Sequence, residues 1–384
     1  MKKTLILSLM LPLALASCRQ GVTTGRETIP FVRQVAADSA GLFSLVQSYS
    51  ETGSKGSIAV IGDPEKALLL TERFLTCDLV DNIDAVRKPD GLPDFSGEVF
   101  DVTMDPLYTP YEHFVRSDLD SLRELSVRYA LATVDSVCLA SPFNPDLRLR
   151  KSRAKILVYA SSLCSEYGRF DVDTLFQMAG KRVAVIDPVH SSLAVAFYGR
   201  SGVQHLGLWA DGDVIGSGAY QAVFARKYRN GSTLAAFSPV PSGDLRTRFR
   251  DFLRQYRDGA PGQLNALLLD DFGVDTSFIM AEVARIREQG SAEDVALNRV
   301  LAADFRCIDP MAAMTTVCYF LLRRDNRFTH DIAYPKARFY QAEESAEGYP
   351  VLIELSDRYL SAEIGSFMDV NALTTRSFYV SDQY

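Results

Sequence analysis

Short apolar runs separated by amphipathic stretches set the rhythm of this chain from residue 57 onward. Ser57 to Ile61, Lys155 to Ala160, Arg182 to Ile186, Leu206 to Trp209, Thr233 to Phe237 and Asn265 to Leu269 are such runs. Their length and lack of alternation predict strands buried on both faces, as in parallel sheets. Val134 to Pro142 reads as a further strand after a long helix at 117–133. A Gly62-Asp63-Pro64 turn introduces a helix over Glu65 to Thr76, and a short helix at 31–50 is broken by Gly53-Ser54-Lys55-Gly56. Leu245, Phe249, Phe252, Leu253 and Tyr256 share one helical stripe, with Arg and Asp on the solvated face. Ile279, Val283 and Ile286 do the same before Gly290, a C-cap. Repeated β-α units predict an α/β fold with open, mostly parallel sheets.

The N-terminus follows a different rule. Lys2 and Lys3 precede an apolar run from Leu5 to Leu15, too short to span a bilayer and placed where a secretory h-region belongs. The closing tetrad Leu15-Ala16-Ser17-Cys18 resembles the lipobox of bacterial lipoproteins. That resemblance implies cleavage before Cys18, acyl chains such as palmitate on it, and stable membrane anchoring by several chains together. The soluble part would then stand in the periplasm or at the cell surface. Arg19 supplies no acidic retention signal, so the outer membrane is the preferred cell-envelope site. Five segments follow: a signal peptide at 1–17, a lipidated N-terminus and tether at 18–55, an N-terminal lobe at 56–180, a C-terminal lobe at 181–330, and a crossover with C-terminal extension at 331–384.

Charge and composition narrow the partners. The chain of 384 residues has 41 Lys and Arg against 48 Asp and Glu; loss of Lys2 and Lys3 with the signal leaves 39 against 48, a net of −9. With its basic residues scattered, it offers no surface for nucleic acid. Cys77, Cys138, Cys164, Cys307 and Cys318 form no CxxC and sit mostly in apolar runs, which reads as buried, inert thiols. The four histidines lack metal-ligand spacing, so neither a metal nor a cofactor is expected.

Residues 180–340 resemble the type 1 periplasmic-binding-protein fold of sugar-binding proteins and the lactose-repressor group. Asp244 to Leu253, Leu264 to Asp271, and Arg306 to Leu322 with Ile332-Ala333-Tyr334-Pro335 carry the resemblance. It implies two Rossmann-like lobes that close on a ligand by a hinge.

In open α/β sheets ligands collect beyond the carboxyl ends of the strands. Those ends supply Asp63, Asp105, Ser141, Ser161, Asp187, Trp209, Asp211, Ser238, Asp270 and Asp271. Carboxylates there suit hydroxyl donors, and Trp209 offers a ring face to a sugar. In the resembled family the acid after the strand at 265–269 contacts ligand, which singles out Asp270 or Asp271. Aspartates at such places also cap the following helix. The resulting expectation is a membrane-anchored solute-binding protein. It would capture a small sugar-like or nucleoside-like molecule between its lobes, without catalysis, and hand it to a transporter or a sensor. Two alternatives stand beside it. One is a cleft hydrolase using carboxylates and His190, prompted by Asp187-Pro188-Val189-His190-Ser191-Ser192; the other is a ligand-free assembly or scaffold protein.

Overall fold

The first apolar run forms β1 (Ser57–Gly62), every residue of which is buried. The computed structural model describes residues 26–355 apart from 40, 52, 82–85, 87, 142–143, 145, 241, 330, 332 and 345–349. After β1 come β2 (Val99–Met104), β3 (Val137–Leu139), β4 (Arg148–Arg150), β5 (Ala154–Tyr159) and β6 (Ala184–Ile186). These are followed by β7 (His205–Trp209), β8 (Thr233–Phe237), β9 (Leu264–Leu269), β10 (Leu301–Ile308), β11 (Lys336–Glu344) and β12 (Pro350–Glu354). Eight of these strands make one sheet in the order β4-β3-β12-β11-β2-β1-β5-β6, and four make a second in the order β10-β9-β7-β8. All neighbours are parallel except β11 with β12 and β3 with β4.

The α/β class and the mostly parallel sheets follow the apolar pattern. The pair of Rossmann-like lobes implied by the binding-protein resemblance does not: the lobes are unequal, and β11 and β12 return to the larger sheet. Two strands were hidden from the pattern by buried polar residues. On β2, Asp101 accepts from Ser57 Oγ at 2.6 Å and from Arg338 Nε of β11 at 2.9 Å, so three strands share a buried polar row. Val134 ends the helix Leu119–Val134, which shortens the strand expected there to β3.

Alternate residues of β1 enter two core layers. Ile58 and Val60 pack with Phe74, Phe95 and Met314, whereas Ala59 and Ile61 face Leu122, Leu157 and Leu163. The second layer continues into the smaller lobe through Leu193 of the helix Pro188–Phe197 and Tyr220 of the helix Ala219–Lys227, reaching Leu208 and Leu268. One apolar core therefore joins both lobes. The outer face of the smaller sheet is covered by the stripes of Leu245–Gly259 and Thr276–Arg287. Arg250 departs from the solvated face expected for its helix. It is buried and binds Glu282 and Glu293, each at 2.7 Å, and Asp294, tying three helices together.

Gly207, mid-strand in β7, lets the helix Leu245–Gly259 approach closely. A Cβ there would lie 2.7 Å from Phe252 Cζ and 3.0 Å from Leu264 Cδ1. Overpacking of this kind costs about 1–3 kcal/mol. Gly207→Ala should lower stability by that amount in urea unfolding. Gly216→Ala, with nothing within 4 Å of the added carbon, should not.

Candidate active site

Strand order decides which loops can meet. In the larger sheet β2, β1, β5 and β6 are parallel neighbours, so Asp105, Asp63, Ser161 and Asp187 stand in a row at their carboxyl ends, about 4.8 Å per step. The chain places β2 on one side of β1 and β5 on the other, a topological switch point. The smaller sheet has its own between β7 and β9, with β8 on the far side of β7. Clefts for ligands open at such points. Asp63 and the Ser161-Ser162 pair border the first, Asp211 and Asp270 the second.

The two switch points face each other. Ser162 Oγ of the larger lobe donates to Asp270 Oδ1 of the smaller one. Tyr220 OH donates to the same oxygen at 2.8 Å. Around this pair the rims are latched by Tyr167 OH on the Ser217 carbonyl, Arg226 on Glu166 at 2.8 Å, and Arg116 Nε on Asp213 at 2.8 Å. Lys66 stands 3.7 Å from Glu112 in the same region. Burial pushes the Asp270 carboxyl up to about 6; Ser162, Lys66 and Tyr220 oppose the rise, and Asp211 adds to it. Lys66 would be lowered by burial, but Glu112, Asp270, Asp63 and Asp211 together raise it.

A second unit lies at the end of β6, beside Ser161. The Asp187 carboxylate accepts from the His190 amide at 2.8 Å, from His190 Nδ1 at 2.9 and 3.0 Å, and from Arg169 Nη1 at 2.7 Å. Burial would raise Asp187, yet His190 and Arg169 outweigh it and hold the group far below the usual carboxylate range. Burial lowers His190, so its ring is neutral at pH 7, with Nδ1–H assigned toward Asp187.

The expected site residues divide. Asp270 is the centre. Asp211 sits at the first position before the helix Gly212–Ser217 without bonding its amides, and its side chain is exposed. Asp63 caps the helix Pro64–Thr76 at 3.0 and 3.3 Å, and Asp271 binds the Gly273 amide at 2.9 Å. Three expectations are corrected. Asp105 is fully buried and bonded to the Leu107 and Tyr108 amides and Tyr111 OH, so it does not reach the cleft. Ser141 follows β3, four strands from β1 across β12, β11 and β2, roughly 19 Å away. Trp209 is fully buried and stacks on Phe252 at 5.8 Å, leaving no ring face for a sugar.

Ser162, Tyr220, Tyr167 and Lys66 were not anticipated. The helices Gly212–Ser217 and Ala219–Lys227 join at Gly218, whose φ of 70° is left-handed; that bend precedes Tyr220. Four of the five cysteines at 77, 138, 164, 307 and 318 are buried and Cys307 is half-buried. Burial raises their thiols, Cys77 and Cys307 to about 12. Among the described residues no group of three His, Cys, Asp or Glu is placed to hold a metal ion. Cys18 and the signal segment lie outside the described residues.

No protein-family model matches the chain, and no curated protein matches its sequence. Solved structures similar to it include glutamate racemases. One from Francisella tularensis, in complex with D-glutamate, is 16% identical, with a TM-score of 0.48, covering 77% of this chain and 91% of that one. Another, from Bacillus anthracis, is 12% identical, with a TM-score of 0.46, covering 79% and 98%. At such identities and scores the likeness decides nothing about substrate or reaction. These racemases are not periplasmic binding proteins, and sheets of eight and four strands are not a pair of like lobes, so the expected identity, a lipoprotein with a type 1 binding-protein-like soluble part, is withdrawn. The solute-capture reading goes with it: of its expected ligand contacts, Trp209 and Asp105 are sealed in the core and Ser141 lies four strands from the cleft.

A carboxyl whose folded value exceeds its unfolded value of about 4 weakens the fold as pH rises. Between about 4 and about 6 the native protein keeps the Asp270 proton that the unfolded chain has lost, so stability falls across that window and levels off above it. Asp270→Asn should remove this loss. Its stability relative to the wild type should grow by on the order of 2 kcal/mol between pH 4 and pH 7, measured by urea unfolding. Parallel stability curves would show that Asp270 titrates normally.

Proposed function

We propose that this protein is an enzyme acting on a small polar metabolite between its lobes, with Asp270 as the acid–base group. The observation that carries this is the carboxyl at the meeting of the two switch points, raised to about 6. A group titrating near the working pH is the most effective proton donor and acceptor, and tuned carboxyls of this kind cluster at catalytic sites. Ser162 and Tyr220 fix its orientation through Oδ1. A hydrolytic version of this reading is favoured by the Asp187–His190 pair, which supplies a neutral imidazole at the neighbouring strand end. Two groups shifted in opposite directions could divide the acid and base roles. A cell-envelope location is proposed from the basic start at Lys2 and Lys3 and the apolar run from Leu5 to Leu15, the marks of a secretory signal.

The test is turnover of a panel of amino acids, hydroxy acids, amines and their amides and esters in deuterium oxide, read by mass spectrometry. That readout registers both hydrolysis and deuterium uptake at carbon. We expect turnover that falls about tenfold per pH unit below about 6 and drops at least roughly a hundredfold in Asp270→Asn. No turnover, or turnover untouched in Asp270→Asn, would overturn the reading.

A further inference from the structure

Resting on that reading of the cleft, we infer that residues 26–29 form a strap that governs its opening, with Arg26 a positioning residue for the Ser162–Asp270 pair. The helix Ser162–Tyr167 is the reason. It begins at Ser162, whose Oγ reaches Asp270. It ends at Glu166 and Tyr167, which hold Arg226 and the Ser217 carbonyl of the smaller lobe. One short helix thus supplies the larger lobe's side of all three bonds, and whatever sets its position sets them together.

The strap sets that position. Carbonyls in the last turn of a helix lack partners within it, and cations are favoured at that end. Arg26 Nη1 donates to the Glu166 carbonyl at 2.9 Å. The same guanidinium stands 3.5 Å from Glu166 Oε1, on the carboxylate that Arg226 grips at 2.8 and 2.6 Å. It also covers the rings of Tyr167 and Phe170, at 5.4 and 5.6 Å from their centres. Just past the helix, Thr28 Oγ1 and the Ile29 amide donate to Asp171 Oδ1 at 2.9 and 3.2 Å. Arg123 binds the same carboxylate and donates to the Glu27 carbonyl at 2.7 Å. Ile29 and Val32 then enter the core and anchor the strap. With the strap seated, Glu166 and Tyr167 are backed from behind and present their bonds to the smaller lobe. With it lifted, the helix loses that backing and the contacts at both of its ends slacken.

The experiment is hydrogen exchange of the full chain, read by mass spectrometry, in the wild type and in Arg26→Ala. Exchange should quicken roughly tenfold in the helix Ser162–Tyr167 and also across the rim at residues 214–222, which belong to the smaller lobe. Amides of β1 and β5 should keep their rates. Arg226→Ala breaks the latch from the other side and should quicken the same two segments. Arg26→Lys, which keeps a donor for the Glu166 carbonyl, should fall between the wild type and Arg26→Ala. Unchanged exchange at 214–222 in Arg26→Ala would overturn the inference. So would an equal rise in β1 and β5, which marks a fold loosened as a whole. None of these outcomes touches the acid–base role of Asp270, which the turnover panel judges separately.

Discussion

Two hydroxyls from opposite lobes hold one oxygen of a carboxyl largely withdrawn from water, and the chemistry of the cleft depends on that balance. Withdrawing a carboxylate from water costs several kcal/mol, of which two neutral donors and a nearby ammonium recover only a part. Asp270 is left with a proton affinity near neutrality. Asp187 shows the opposite outcome a few residues from the same cleft. It is more deeply buried still, but Arg169 and an imidazole bind it directly, and charge-assisted bonds more than repay the desolvation. The identity of the donors, neutral against charged, separates a titrating group from a permanently ionised one.

The same contact shapes the mechanics. Ser162 lies just beyond β5 of the larger sheet and Asp270 just beyond β9 of the smaller, so their bond exists only while the lobes are together. A substrate entering between them must part that bond and the rim latches at Tyr167, Arg116 and Arg226. The apolar layer running through the helices Pro188–Phe197 and Ala219–Lys227 opposes a wide separation.

Much of this was legible in the chain. The buried strands β1, β5, β7 and β9 follow from uninterrupted apolar runs, and their carboxyl ends delivered Asp63, Asp211 and Asp270 to the cleft. What the pattern could not carry was strand order. Ser141 and Asp270 look alike as polar residues after apolar runs, yet β3 lies at the far side of its sheet and β9 at a switch point. Side-chain direction was equally silent at Trp209. It shares a face with Gly207 two residues earlier, and that face meets Phe252, so the ring enters the core. Ser162, Tyr220 and Lys66 acquire their roles from the opposing lobe or from a helix bend at Gly218, neither of which a local pattern encodes. β2 and β11 escaped because a buried Asp101 and a half-buried Arg338 pair across them, which breaks the apolar signature of a buried strand.

The most direct test is the titration of the Asp270 carboxyl itself, followed by the carbon-13 shift of its side chain and assigned by comparison with Asp270→Asn. The account predicts a midpoint near about 6 that moves when Ser162 is replaced by Ala, because one of the two donors is then lost. A midpoint near the ordinary value of about 4, unmoved in Ser162→Ala, would contradict it.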